Sequence, residues 1–283
     1  MLRTDLAVES VADLSGEKGV QKEEFEKAGM TVTKIKVNSK SASEKLQKPM
    51  GNYVTLAKRR LFDYSEDFSD RARLIAEEIR AFIPDGAVLV AGLGNREITP
   101  DALGPLVVDD ILCTRHFKSS AAQTFGLENL RSVSAVATGV LGQTGIETAE
   151  FILSVAEKVK PASIIVVDAL AARDLERLTS TVQLCDTGIS PGAGVQNRRS
   201  AITKDLFGVP VIAVGVPTVV DVSTFAENVF GSSKNLSPDG YSMMVTTRDI
   251  DTVIKRASSI VALAINLALH PELEYDDILF LNS

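Results

Sequence analysis

Short, wholly apolar runs that alternate with helical stretches are the feature that most constrains the fold of this chain. From Ala87 onward these runs are rich in Val and Ile and lack the period-two alternation of a strand with one solvated face. Continuous apolar strands suit a parallel sheet that is covered on both faces. Strands are predicted at Ala87–Ala91, Val133–Ala137, Ile164–Val167, Val182–Leu184 and Val211–Val214.

Amphipathic helical stretches lie between and after these strands. One apolar stripe ends at Val159, between the second and third strands, and a longer one runs from about Asp249 to Leu269. This alternation predicts an α/β fold of three layers, doubly wound around a mostly parallel sheet, over residues 85–283.

The first part of the chain follows a different pattern. Residues 31–37 and 53–56 are predicted as short strands, and a helix is predicted from about Ser69 to Phe82. Residues 6–84 are therefore expected to form a small α+β elaboration that joins the main domain in one compact unit.

Composition indicates a water-soluble protein in a reducing compartment. The chain has 283 residues, 45% of them hydrophobic and 24% charged, and Asn266 interrupts its long apolar run from Ile260 to Leu269. No membrane span is expected, because a spanning helix needs about 20 apolar residues. The first residues lack the apolar core of a secretory signal, and Cys113 and Cys185 form no disulfide framework, so a cytoplasmic location is expected.

Histidine is scarce, which limits the kinds of catalysis available. The chain has two histidines and two cysteines against 37 acidic residues. A Ser-His-Asp or Cys-His catalyst would have to use one of those histidines, and a zinc site would have few candidate ligands. Carboxylate chemistry is therefore the first to consider.

Two aspartates follow predicted strands. Asp101 lies in the loop after the first strand, just before a helix start that Gly104 and Pro105 indicate, and Asp168 is the first polar residue after the third strand. In such a sheet, ligands bind at the carboxyl ends of the strands, near the point where the strand order reverses. If the order is flavodoxin-like, the first and third strands are neighbours, and Asp101 and Asp168 are expected to face one another.

An aspartate pair at one site suggests two kinds of chemistry. Two adjacent carboxylates cannot both ionise at low cost, so one keeps a proton while the other is a base. The ionised acid can then activate water for attack on an amide, while the protonated acid donates to the carbonyl oxygen. The same pair could instead hold a metal ion. No nucleotide cofactor is predicted, because Glu97 replaces the third glycine after Gly92 and Gly94 and no Walker lysine is present.

Other polar residues that follow strands are expected to line the same cleft. Asn95 follows the first strand and Asp186 follows the fourth. The tripeptide Asp-Thr-Gly that begins at Asp186 matches pepsin-like proteases, but those are all-β and need two such loops. Arg198 and Arg199 lie beside a glycine-rich loop that is predicted to be a substrate-facing flap or an ordinary surface loop.

Sequence blocks spread along the chain carry a family resemblance. They are Arg3–Glu9, Lys48–Tyr53, Gly92–Asn95, Thr99–Pro105, Gly142–Gly145, Asp168–Arg173, Asp186–Ile189, Gly208–Ile212, Gly215–Asp221 and Leu269–Pro271. In these blocks the chain resembles the germination protease (spore protease) family of endospore-forming bacteria. The family's fold is related to that of the hydrogenase-maturation endopeptidases, which place a nickel-binding acid where Asp101 and Asp168 fall.

The resemblance implies an atypical acid protease that degrades small acid-soluble spore proteins early in germination, without a metal or other cofactor. The family's two essential aspartates match Asp101 and Asp168. The resemblance also implies a homotetramer in the cytoplasm of the forespore or spore core. No membrane partner and no direct nucleic-acid role are expected.

The resemblance further implies a zymogen that removes a short N-terminal segment by self-cleavage. Residues 4–9 resemble the substrates' cleavage sequence, in which an acid precedes an apolar residue, then Ala and, two residues on, Glu. This match places the self-cleaved bond between Asp5 and Leu6, so residues 1–5 are the expected pro-segment, a shorter one than is usual in the family.

Two other functions stay open from the sequence. A metal-dependent endopeptidase of hydrogenase-maturation type would use the same acids as ligands, but no histidine follows a strand end to complete its site. A non-enzymatic DNA- or protein-binding module would use the basic segment, residues 31–60, which has eight Lys and Arg against one Glu. The net charge of -7 for the whole chain argues against that module. The basic segment is otherwise interpreted as a solvated sheet edge or a surface for an acidic partner.

Overall fold

The computed structural model describes residues 4–12, 18–118, 130–190, 200–233 and 243–282. Within them, one sheet of nine strands has helices on both faces. The strands are β1 (Val20–Lys27), β2 (Met30–Val37), β3 (Gly51–Ala57), β4 (Val88–Gly92), β5 (Val133–Ala137), β6 (Ser163–Ala172), β7 (Thr181–Cys185), β8 (Val211–Asp221) and β9 (Met244–Val245). The α-helices are α1 (Ala7–Ala12), α2 (Lys40–Leu46), α3 (Phe68–Arg80), α4 (Leu103–Asp109), α5 (Leu141–Thr144), α6 (Thr148–Val159), α7 (Lys204–Phe207), α8 (Val222–Phe230), α9 (Ile250–Leu269) and α10 (Tyr275–Asn282).

The sheet has a parallel side and an antiparallel side. Its order is β1-β2-β3-β7-β8-β6-β4-β5, with β9 paired to β8. The strands β5, β4, β6 and β8 run parallel, so the first and third predicted strands, β4 and β6, are neighbours as in a flavodoxin-like order. The α/β fold class is confirmed, in a sheet that is mixed.

One of the five strands predicted from Ala87 onward is antiparallel to its neighbours in the sheet. The strand predicted at Val182–Leu184 forms β7, which is antiparallel to both of its neighbours, β3 and β8. Residues 173–180, between β6 and β7, contain a short 3-10 turn at Leu175–Arg177. A parallel crossover needs about a dozen or more residues, so this short connection reverses the chain instead.

The N-terminal strands extend the main sheet. Strand β3 pairs with β7, and β2 and β1 follow it outward. The sequence did not predict β1, because its residues are charged and mostly exposed and show no apolar face. Charged side chains on an edge strand discourage pairing with other chains. The boundary between residues 84 and 85 stays a prediction.

Two hydrophobic cores lie on opposite faces of the sheet. Within β4, Val88 and Val90 belong to one core and Leu89 and Ala91 to the other. Helices α3, α4 and α9 cover the first core, and α1 and α6 cover the second. All residues of β4 are therefore buried, which explains why its sequence is continuously apolar.

Helix α9 is a core helix. Among the described residues, it alone is long and apolar enough to cross a membrane by length and composition, yet most of it is buried inside the protein. Asn266 is 1% exposed, and its side chain accepts from the Leu112 N–H at 2.9 Å and donates to the Asp110 carbonyl at 2.8 Å. These two hydrogen bonds fix the helix against the chain that follows α4.

Candidate active site

The loop after β4 folds tightly against the ends of β4 and β6. The Leu93 N–H donates to the carbonyl oxygen of Val167 at 2.8 Å. A Cβ atom on Gly104 would lie 2.3 Å from the Leu93 oxygen and 2.6 Å from the Val167 oxygen, and Gly94 has a φ of +107°. Both positions therefore need glycine. This close approach brings Asp101, at the end of the loop, next to the part of β6 that contains Val167.

Asp101 and Asp168 line one cleft of about 510 Å³, a size in the usual range for ligand-binding sites. Asp101 ends a 3-10 turn, and its Oδ2 accepts from the Asn95 N–H at 2.8 Å. Asp168 belongs to β6, is 7% exposed, and its Oδ1 accepts from the Ala169 N–H at 2.9 Å. The cleft thus contains both acids that were selected from the sequence. Asp168, however, does not follow the third strand as predicted, because β6 continues past it to Ala172.

The other polar residues that the sequence indicated have different surroundings. Asn95 is not among the cleft-lining residues, although its N–H contacts Asp101 and its Oδ1 accepts from the Gln143 side chain at 2.6 Å. Asp186 does not line the cleft either, because its carboxylate accepts from the N–H and the side-chain amide of Asn52 at 2.8 and 2.6 Å. Arg198 and Arg199 lie outside the described residues.

Asp5, near the start of the chain, lines the same cleft. Its N–H donates to the Ala171 carbonyl at 3.0 Å, and its Oδ2 accepts from the Ala171 N–H at 2.8 Å. The next side chain, Leu6, is fully buried in the second core. The peptide bond between Asp5 and Leu6 is therefore at the wall of the cleft that contains the two acids.

Two polar side chains of the cleft bind the main chain of this segment. Lys48 Nζ donates to the carbonyl oxygens of Thr4 and Asp5, each at 2.9 Å. Gln183 Nε2 donates to the Asp5 carbonyl at 3.1 Å, and Gln183 Oε1 accepts from the Ala7 N–H at 2.6 Å. Sequence reasoning missed both residues, although Gln183 carries a signal, since it is a polar residue within an otherwise apolar strand.

Ionisation in the cleft follows from burial. Burial lowers the pKa of Lys48, and the nearby Asp5 carboxylate partly opposes this. Burial raises the pKa of Tyr53 and of the Cys185 thiol, and both side chains line the cleft. Tyr53 and Cys185 are thus uncharged near neutral pH, which does not favour a thiolate nucleophile.

The acid pair is a small ligand set for a catalytic metal ion. Among the described residues, no group of three or more His, Cys, Asp or Glu side chains is arranged to hold a metal ion. Asp101 and Asp168 alone are fewer ligands than the three protein ligands of typical catalytic zinc sites.

Part of the basic segment is balanced by acids within the chain. Lys34 forms an ion pair with Glu78 at 2.7 Å, and Lys58 forms one with Asp67. Lys48, from the same segment, faces the cleft. Lys34 and Lys58 therefore fit the interpretation of the basic segment as a solvated sheet edge, whereas Lys48 faces the cleft.

Comparisons with known proteins agree on one family. The family model for germination protease matches residues 3–231. The germination protease of Caldanaerobacter subterraneus subsp. tengcongensis is 42% identical over 96% of this chain and 95% of its own length. That of Clostridium tetani is 39% identical over 98% of both chains, and that of Bacillus cereus strain B4264 is 35% identical over 98% of this chain and 95% of its own length.

Among solved structures, the [NiFe] hydrogenase maturation protease HycI from Thermococcus kodakarensis is similar to this chain, with 14% identity and a TM-score of 0.37 over 66% of this chain and 98% of that one. On the family model and the near full-length relatives together, this chain belongs to the germination protease family and is a peptidase.

Proposed function

We propose that this endopeptidase of spore germination uses Asp101 and Asp168 to cut small acid-soluble spore proteins. The single observation that supports the aspartate pair is that both side chains line one cleft, Asp101 from the loop after β4 and Asp168 from the neighbouring parallel strand β6. The substrate class is the one that the family resemblance implies. No metal ion or other cofactor takes part in the proposed reaction.

In the proposed reaction the two carboxyl groups have different protonation states. The ionised aspartate removes a proton from water as the water oxygen adds to the peptide carbonyl carbon. The protonated aspartate donates to the carbonyl oxygen, which gives a neutral tetrahedral diol. The aspartate that took the proton from water then passes it to the nitrogen as the carbon–nitrogen bond breaks, and a hydroxyl group of the diol returns its proton to the other aspartate. The products are a new carboxyl terminus and a new amino terminus. Keeping one proton on the pair is favourable because two close carboxylates repel one another.

The proposal includes self-cleavage between Asp5 and Leu6, with residues 1–5 as the pro-segment of a zymogen. It is supported by the contacts of Asp5 with Ala171 inside the cleft. Mass spectrometry of the purified chain over time would detect a new terminus at Leu6, and its absence in both aspartate variants is the expected control.

We also propose a homotetramer in the cytoplasm of the forespore or spore core. The family resemblance supports both the tetramer and the location. Cys113 and Cys185 are free thiols, which suits the reducing cytoplasm. Phe230 and Phe280 are 74% and 78% exposed, as side chains at subunit contacts would be in an isolated chain. Light scattering of the purified protein should give about four times the 30.3 kDa chain mass.

The function is tested with three variants and a chelator. Wild type, Asp101→Asn, Asp168→Asn and the exposed control Asp205→Asn are incubated with the peptide Thr-Glu-Ile-Ala-Ser-Glu. We expect wild type and Asp205→Asn to cut it, and each cleft variant to lose at least about 100-fold in rate, because general acid–base groups contribute that much or more.

Two results would contradict this function. Cutting at the wild-type rate by both cleft variants would remove the aspartate pair from the mechanism. Loss of wild-type cutting on addition of a chelator, with recovery on metal addition, would favour the metal-dependent alternative instead.

A further inference from the structure

The cleft of Asp101 and Asp168 also contains a binding site for a peptide main chain. Lys48 Nζ donates to two consecutive carbonyl oxygens, those of Thr4 and Asp5, each at 2.9 Å. A cation that bridges consecutive carbonyl groups contacts the backbone and not the side chains. The contact therefore suits a peptide of any sequence whose main chain follows the path of Thr4 and Asp5.

Gln183 and Ala171 complete this backbone site. Gln183 donates to the Asp5 carbonyl at 3.1 Å and accepts from the Ala7 N–H at 2.6 Å, so one side chain contacts the main chain on both sides of Leu6. The Ala171 carbonyl accepts from the Asp5 N–H, and the Ala171 N–H donates to the Asp5 side-chain Oδ2, so this residue of β6 contacts both the main chain and the carboxylate of Asp5.

The position of Lys48 argues for a role in the cleft as well as in holding the chain's first residues. An ammonium group out of water is costly unless it binds acceptors. Lys48 donates to carbonyl groups of a segment that shares the cleft with the two acids. Lys34 and Lys58, from the same basic segment, instead pair with carboxylates outside it.

We propose that Lys48 and Gln183 bind the main-chain carbonyl groups at and before the peptide bond that is cut, and that residues 4–7 occupy this site in the intact chain. The proposal deepens the proposed function and rests on it for the identity of the cut bond. When water adds to that carbonyl group its oxygen becomes more negative, so the two donors also stabilise the reacting state. Lys48 and Gln183 are thus substrate-binding residues for this peptidase.

The test measures whether Lys48 contacts a particular carbonyl group of a bound peptide. Two fluorescent peptides copy residues 4–9, one normal and one with a thioamide in place of the carbonyl of its Thr, because sulfur is a weaker acceptor than oxygen. Binding is measured by anisotropy to chains that begin at Leu6, the form that the proposed self-cleavage leaves, so that Thr4 and Asp5 do not compete for the site. These chains carry Asp168→Asn, which keeps the peptide intact, with and without Lys48→Met. Lys40→Met, an exposed lysine of α2, is the matched control.

We expect Lys48→Met to weaken binding of the normal peptide by about tenfold or more, the effect of losing a hydrogen bond to a charged group. The thioamide should weaken binding several-fold when Lys48 is present and should have no further effect in Lys48→Met. Gln183→Glu keeps the acceptor for the Ala7 N–H but loses the donor, so it should also weaken binding. Lys48→Arg should restore part of the affinity.

Equal sensitivity to the thioamide with and without Lys48, or no peptide binding at millimolar concentration, would overturn the proposal. The comparison of the two peptides is made within one protein, so reduced folding of a variant does not change the ratio. Failure of the proposed function would give a different result: the peptide would bind with the Lys48-dependent ratio but wild type would not cut it. If Asp168→Asn still cuts, the ratio of kcat/KM for the two peptides replaces the ratio of affinities.

Discussion

The N–H of Leu93 donates to the carbonyl oxygen of Val167 at 2.8 Å, and this one hydrogen bond joins the loop of Asp101 to the strand of Asp168. Val167 directly precedes Asp168, so the bond determines how far the loop lies from the second acid. Gly104 packs on both atoms of this contact, with room for a hydrogen but not for a methyl group. The geometry of the acid pair therefore depends on residues that have no reactive groups.

Gly104→Ala is expected to destabilise the fold and to lower activity. The added methyl group would lie 2.4 Å from the Leu93 nitrogen and 2.6 Å from the Val167 oxygen, and overpacking of this kind typically costs about 1–3 kcal/mol. Urea unfolding measures the decrease in the free energy of unfolding. The rate of peptide cutting should decrease by a larger factor than the folded fraction of the protein does. Gly142→Ala is the control, since no atom lies within 4 Å of its added methyl group. Unchanged activity in Gly104→Ala would mean that the loop tolerates a shift.

Glu9→Ala is expected to unfold the N-terminal segment. The Glu9 carboxylate is buried and accepts from the N–H groups of Arg173 and Asp174 at 2.9 and 2.8 Å. Without it two N–H groups lose their acceptor, which costs about 2–4 kcal/mol in total. The free energy of unfolding in urea is the measurement, with the exposed Glu157→Ala as control. Equal stability of the two variants would show that water replaces the carboxylate.

Asn266→Leu should destabilise the protein even though it makes α9 more apolar. The change removes Asn266 as the partner of the Leu112 N–H and the Asp110 carbonyl. Leu112 is buried, so its unpaired N–H costs about 1–3 kcal/mol, whereas the carbonyl of the exposed Asp110 can bind water. Thermal and urea unfolding would measure this cost. Thr252→Leu, at an exposed position of the same helix, should have little effect. A gain in stability for Asn266→Leu would mean that hydrophobic packing outweighs the two hydrogen bonds.

His270 should make stability depend on pH. It is fully buried, neither ring nitrogen has a hydrogen-bond partner among the described residues, and burial lowers its pKa below the ordinary value of 6.5. Below about pH 6.5 the unfolded chain therefore binds a proton that the folded chain does not. Stability should be complete above about pH 6.5 and decrease as the pH falls, by up to about 1.4 kcal/mol per pH unit.

Urea midpoints at about pH 7.5 and about pH 5.5 test this dependence. His270→Phe, which cannot titrate, should reduce the difference between the urea midpoints at the two pH values. His116→Phe, at an exposed position, should show the same difference as wild type. The same pH dependence in His270→Phe and wild type would assign it to other groups.

Much of the parallel half of the fold was predictable from local pattern. Strands covered on both faces must be apolar throughout, so β4 and the first part of β6 were recognisable. Asp101 was selected because it lies in the loop after β4, and Asp168 because it ends the apolar run of β6, although the strand itself continues to Ala172. Helices α3 and α9 were predicted to within about two residues at each end, because their apolar stripes have the helical period.

The local sequence pattern could not predict the edge strand β1 or the direction of β7. The residues of β1 face solvent and carry no apolar alternation, and the direction of β7 depends on the short connection that precedes it. Asp186 shows the same limit, since it follows a strand as predicted but its carboxylate binds Asn52 of β3. A residue's position after a strand does not say which neighbour that strand has.

By itself, the sequence determined the α/β class, the apolar runs of the parallel strands and the two aspartates that end or follow such runs, because buried strands are apolar in sequence. Only the tertiary structure decided that Lys48, Gln183 and Ala171 meet around Asp5. These residues come from separate parts of the chain, and they are brought together by the order of β3, β7, β8 and β6 in the sheet. Contacts between distant segments depend on this order, which no local period encodes.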